Sequence, residues 1–314
     1  MRHNSNSIIL TAIILLLSQI GSTWSFSFHH QHQFQLQKLG STKAIKKSLT
    51  PSQFECEPKR VHLLSTNLSS SSSNNDSKKV VDIEAMAKYV TAAITQLSLI
   101  STFFFIIDQL LTKTATATTL PSPLTWILCY AFSLKSRTFN PLNNARPNRQ
   151  KAIQDQQSDG FNDRIQPSWT PPGVVFPIMW LLIIGPLRAT SSTMIINSLG
   201  SYFTLPFMSF MAHLTCGDIW NTINNTEKRY GTSALGIVFV YVSALHAAWQ
   251  YYQVNALAGK LLGATAIWLS IASALIIQTW RLNGNKEDGG RLESLLPMKV
   301  KGEQSKTKFS WFSS

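Results

Sequence analysis

Apolar residues are gathered into blocks separated by polar runs, and the block lengths define the elements. A short apolar run occupies 8–17, and longer ones occupy about 89–111, 172–196, 201–223, 232–253 and 257–280. A helix rises about 1.5 Å per residue, so about 20 apolar residues cross a hydrocarbon layer roughly 30 Å thick. The five long blocks therefore read as membrane spans. The first is broken only by Gln96, Asp108 and Gln109. A further block, 124–134, is short for a span and follows Pro121 and Pro123, so it reads as an interfacial or re-entrant piece.

The stretch from Trp169 to Trp180 leads into the 172–196 block. Proline suits the first turn of a helix, where its missing N–H has no acceptor in any case, so Pro171 and Pro172 mark a helix start. Trp169 and Trp180 are about 16 Å apart along a helix, which places one at a headgroup interface and the other inside the apolar layer.

Ahead of the spans, residues 1–25 pair Arg2 and His3 with the 8–17 run and a small-residue stretch at Gly21, the grammar of a signal peptide. Residues 26–80 are Ser-rich and basic, with a serine run at 69–73 that cannot build a core. Together they resemble the two-part presequence of a plastid-targeted protein, with an ER or other secretory-pathway membrane as the alternative. Segment 284–314 reads as a basic tail.

Composition alters this picture little. The chain of 314 residues is 44% apolar and 14% charged, with a net charge of +13. Its Lys and Arg lie in tails and loops without interleaved aromatics, which argues against nucleic acid and for the positive-inside rule. Five spans put the loop after the first span, the loop with Lys228 and Arg229, and the C-terminus on the cytosol-like side. Cys56, Cys129 and Cys216 are scattered and support neither a disulfide framework nor a zinc site.

The motifs resemble those of the TspO/MBR translocator family over about residues 166–283. Pro167-Ser-Trp169-Thr-Pro171-Pro172, with Phe176-Pro177 and Trp180, matches the family's K-P-x-W-x-P-P…F-P-x-x-W signature. Trp220, Lys228-Arg229-Tyr-Gly231, Trp268, Ala272 and Trp280-Arg-Leu-Asn283 follow at family spacing. The resemblance implies an all-α membrane protein, a five-helix bundle within 81–283, able to bind protoporphyrin or haem as a ligand, with no required cofactor and a homodimer as a possible assembly. It also implies a ligand site at Trp180, Trp220, Trp268 and Ala272, because flat rings stack on a flat macrocycle, and His213 and Gly217, which differ from the family, join that expected site from the Trp220 face. Trp126, Trp249 and Trp280, near span ends, read instead as interface anchors.

Several family residues are replaced. Pro-Tyr before the last-span tryptophan is Ala264-Thr265, the later Leu-Asn is Leu275-Ile276, and the asparagine of L-N-x-x-W is Gly217. His213 stands where the family has glutamine and shares a helix face with Gly217 and Trp220 at i, i+4 and i+7. A neutral imidazole there would ligate haem iron or bond a propionate; the alternative is a histidine bonded to a neighbouring helix. His246 raises the same question. Gly259 and Gly263 have the small-xxx-small spacing of close helix contacts, or simply begin a helix.

No nucleotide loop, metal-ligand spacing or paired intramembrane carboxylate is present, so the expectation is a binder, carrier or sensor of tetrapyrroles rather than an enzyme. A secondary transporter of a small organic solute and a ligand-free scaffold are the alternatives.

Overall fold

The structure, a computed structural model, describes residues 79–114, 119–143, 164–284 and 292–311. The signal-peptide and transit-like segments fall outside the described residues, apart from the last residues before 81.

Six helices pack in an alternating up-and-down order. α1 spans Ile83–Thr114, and α2 spans Ser122–Lys135 and tightens into a 3₁₀ turn at Ser136–Phe139. α3 covers Val175–Leu199, α4 Leu205–Asn221 with a π-turn at Thr222–Thr226, α5 Tyr230–Val254 and α6 Ala256–Leu282. α1, α3, α5 and α6 are long and apolar enough to cross a membrane. Strands β1 (Lys79–Val81) and β2 (Met298–Val300) pair antiparallel.

Local chemistry sets the helix ends. Asp82 accepts from the Ala85 amide at the start of α1, and Asn255 accepts from the Leu257 and Ala258 amides at the start of α6, each satisfying first-turn donors. Gly200, at φ 67°, closes α3 in the left-handed conformation that glycine adopts without strain. Pro123 and Pro206 occupy first-turn positions in α2 and α4.

α3 begins at Val175, three residues beyond Pro172; the residue before a proline is disfavoured in the α conformation, and the Thr170 and Val175 amides bond Pro167 O and Pro172 O in turns ahead of the helix. It passes through a π-turn at Met179–Ile184, where the Gly185 amide bonds back to Trp180 O, before Pro186, which has no N–H to give.

Two features depart from the expected architecture. Segment 124–134 lies within a regular helix laid antiparallel along α3, with Ser122 bonded to Asn197, Trp126 to Thr190 and Tyr130 to Leu181 O. Its Tyr130 ring lies so close that a Cβ on Gly185 would meet it at 2.8 Å. α1 leans instead on α4: Gln96 bonds Asp218, the Phe104 ring meets Phe207, and Asp108 accepts from Ser201 and from the Tyr202 and Phe203 amides. The five-span expectation treated this block as outside the bundle because residues 124–134 cover only about 16 Å and follow two prolines, whereas the helix takes in Pro123 and runs 14 residues, from Ser122 to Lys135.

The second departure is the tail. Residues 292–311 fold back across one end of the bundle. β2 pairs with β1, Ser305 bonds Asp82, Lys88 bonds Thr307 O, and Asn143 and Ser310 bond Lys308 O and Pro141 O. The Trp280 Nε1–H donates to Glu293 O, so this tryptophan pins the tail instead of standing free at an interface. Gly231 makes the close passage possible, since a Cβ there would come within 2.2 Å of Ser294 O. The start of α1 and the tail therefore share a side, which an odd number of crossings after residue 82 would forbid. Among the described residues, the opposite side carries only Lys113 and Lys260.

Candidate functional site

The interior is lined by α3, α4, α5 and α6. Ile237, Val240, Ala244, Leu269 and Ile276 form an apolar cluster, with Trp180, Cys216, Trp220 and Tyr241 packed against it. Trp180 and Trp220 are thus brought together around one apolar centre. The Trp220 Nε1–H donates to Ser233 O at 3.1 Å, and its ring lies 3.2 Å from where a Gly236 Cβ would stand.

Trp268 is buried, and its ring meets Phe176 edge-on with centroids 5.8 Å apart. Its Nε1–H has no acceptor. A buried donor without a partner is costly, so this N–H is a candidate donor to a bound acceptor. Ala272, one turn on, is half-buried. At the mouth, Trp169 is 43% exposed and its Nε1–H donates to Gln278, which ties the signature loop to α6; Pro171 and Pro172 lie in that loop, Pro172 exposed.

His213 is buried and held at both ring nitrogens. Arg188 Nη2 lies 2.8 Å from Nε2 and Ser243 Oγ 3.0 Å from Nδ1. Arginine only donates, so Nε2 is the accepting nitrogen and Nδ1 carries the proton, donated to Ser243, whose hydroxyl passes its own hydrogen to Val240 O at 2.8 Å. The ring is therefore a neutral link between α3, α4 and α5, bonded to side chains on two neighbouring helices. Neither nitrogen is left for a metal. One turn along the same face, a Cβ on Gly217 would meet nothing within 4 Å, so space does open there. His246 is exposed on α5, away from the interior.

Arg188 was not among the residues singled out from sequence. It is 4% exposed, and its guanidinium lies over the rings of Trp180 (5.1 Å) and Phe210 (5.8 Å). Its only sequence signal was a lone arginine inside an apolar block. Toward the tail side, Asp218 Oδ2 accepts from Gln96 and Ser136, each at 2.7 Å, and Asn140 donates to Gln96 at 2.8 Å. This polar patch joins α1, α2 and α4.

At the tail end, Asp82 sits against Arg229 at 2.7 Å, and Arg229 Nε lies 3.2 Å from Glu227. Glu227 also accepts from the Tyr89 hydroxyl. Burial would raise the Asp82 carboxyl, but the hydrogen bonds from Arg229, the Ala85 amide and Ser305 outweigh it and hold the group below the usual carboxylate range. Burial raises Glu293, which accepts from the Gly231 amide at 3.1 Å.

Two open hollows lie at the periphery of the described structure. One, of about 300 Å³, lies between α5 and α6 beside Trp249, Tyr252 and Lys260; the other, of about 280 Å³, lies beside Asp108 and Ser201. Neither is bordered by a residue of the expected ligand set. Among the described residues no cluster of His, Cys, Asp and Glu has the makings of a metal site.

Apolar helices of spanning length around an interior of tryptophans and a few bonded polar groups define an integral membrane protein of the helical-bundle class. The sequence model of the TspO/MBR family matches residues 147–281, which contain α3, α4, α5 and nearly all of α6, so over this stretch the chain is similar to that family. The tryptophan-rich sensory protein of Cereibacter sphaeroides is 26% identical over 134 residues, 43% of this chain and 81% of that protein. Protein CrtK of Rhodobacter capsulatus is 24% identical over 119 residues, 38% of this chain and 74% of its own length. The translocator protein of Sus scrofa is 26% identical over 129 residues, 40% of this chain and 76% of its own length. α1, α2 and the folded tail lie outside the residues that the family model matches.

Proposed function

We propose that the chain is a non-catalytic membrane binder, carrier or sensor of tetrapyrroles such as protoporphyrin or haem, held among α3, α4, α5 and α6. The observation that carries the reading is Trp268: a buried indole whose Nε1–H has no acceptor, on the family's ligand face, with Phe176 edge-on beside it. A ligand oxygen would satisfy that donor. Trp180 and Trp220 around one apolar centre, and the open space at Gly217, supply ring surface and room. Since both His213 nitrogens are bonded within the protein, recognition in this reading falls on the macrocycle and its side chains, not on iron.

In the same reading α2 to α6 form the family's five-helix bundle, with α1 as an additional outer helix. The basic, Ser-rich presequence favours a plastid membrane, the tail side facing the stroma; a fluorescent fusion after Ser314 reports both. A scaffold that keeps the fold without a ligand is the second reading, favoured by Arg188 lying on the Trp180 ring where a macrocycle would stack. Titration of purified protein with protoporphyrin and haem, followed by tryptophan fluorescence, separates the two. Saturable quenching supports the binder, and its absence supports the scaffold.

A further inference from the structure

Two arginines in the described structure are almost wholly buried, and they are provided for differently. Arg229, 3% exposed, has Asp82 at 2.7 Å and Glu227 at 3.2 Å. Arg188, 4% exposed, has no ion pair with any described Asp or Glu. Its one hydrogen bond goes to the neutral His213, its Nε–H has no acceptor, and its faces rest on Trp180 and Phe210. Asp218 attracts it only from beyond ion-pair range, and Asp218 Oδ2 already accepts from Gln96 and Ser136. A guanidinium inside a membrane bundle is costly and normally faces a counter-charge or a functional cavity. His213, itself bonded to Ser243, takes one N–H of the fork and the aromatic rings flank its plane, which leaves further N–H groups, the buried Nε–H among them, for an acceptor.

We propose that Arg188 anchors the carboxylate of an amphiphilic ligand within the bundle, with the ligand's apolar body toward Trp220 and along the α4 face that Gly217 leaves open. Arginine presents donors in a planar fork that matches a carboxylate, and a charge-assisted bond in a dry interior is about twice as strong as a neutral one. Trp180 and Trp220 meet the same apolar cluster, so an acid with a flat or extended hydrocarbon body has both its requirements met on adjoining surfaces. His213 is then a positioning residue that acts through Arg188. The inference deepens the ligand-site reading above by naming the acidic group as the point of recognition. Two sources share that chemistry: the propionate of a tetrapyrrole and the head group of a fatty acid.

The test uses the full chain in lipid nanodiscs. Tryptophan quenching is titrated with protoporphyrin and with its dimethyl ester, which keeps the ring and removes both charges; oleate is tested by displacement of an apolar fluorophore. The free acid should bind at least about tenfold more tightly than the ester, the factor one charged hydrogen bond supplies. Arg188→Met should bring the acid down to the ester while leaving the ester unchanged. Equal affinity of acid and ester in the unaltered protein overturns the anchor and leaves porphyrin binding standing, and this comparison needs no variant to fold. If neither porphyrin binds but oleate displaces the fluorophore in an Arg188-dependent way, the anchor stands and the tetrapyrrole reading falls. If no ligand responds to Arg188, the anchor is wrong.

Discussion

His213 has Arg188 on one ring nitrogen and Ser243 on the other, so replacing it removes a link between three helices rather than an iron ligand. Haem added to the unaltered protein and to His213→Gln should therefore give the same Soret position, because the glutamine carbonyl still accepts from Arg188; a shift confined to the unaltered protein would show ligation. Trp268→Leu removes a ring worth about 0.5–1.5 kcal/mol beyond its area. Protoporphyrin should then bind about 2- to 12-fold more weakly, and unchanged quenching titrations in the folded variant would move the site elsewhere. Sequence spacing does place His213 and Gly217 on one face, since helical period alone decides that. It says nothing of register between helices, which is why Arg188, 25 residues from His213, was passed over. The bond from Trp126 to Thr190 depends on the same register between helices, whereas its stacking on Tyr130, one turn along α2, follows from helical period.

Among the elements, the tail is the one that local reading could not supply. Its lysines give no apolar period, and its order comes from partners more than 200 residues away, such as Asp82 for Ser305. The four long apolar helices, by contrast, were legible because length and composition suffice. Helix α2 fell between, being too short to qualify by length and identified only by the surface of α3 it covers. Gly231→Ala sets a Cβ against two backbone carbonyls of the tail, which cannot yield as a flexible side chain does. Limited proteolysis should cut that variant within residues 292–311 faster than the unaltered protein, and equal cutting rates would mean that the close passage does not hold the tail. The Asp82 carboxyl is held below its ordinary value, so its contribution is present at neutral pH and lost as the pH falls through its folded value, under the usual carboxylate range. Asp82→Asn should cost about 3–5 kcal/mol at neutral pH by leaving Arg229 half-paired, and should flatten the acid limb of a melting-temperature profile. An acid limb unchanged in that variant would assign the titration to another group.

For the whole molecule, β1 against β2 fixes both the start of α1 and the tail on one side. In a background without native cysteines, Lys79→Cys and Lys301→Cys should react with an impermeant maleimide from the same face of sealed vesicles, and Lys260→Cys from the other. Labelling of 79 and 301 from opposite faces would undo the six-helix order. The ligand site is the central claim, and a photoreactive protoporphyrin tests it most directly. Irradiation of the complex followed by peptide mapping should place adducts on the segments carrying Trp180, Arg188 and Trp268. Adducts confined to the groove beside Trp249, Tyr252 and Lys260, or to the outer face of α1, would contradict an interior site.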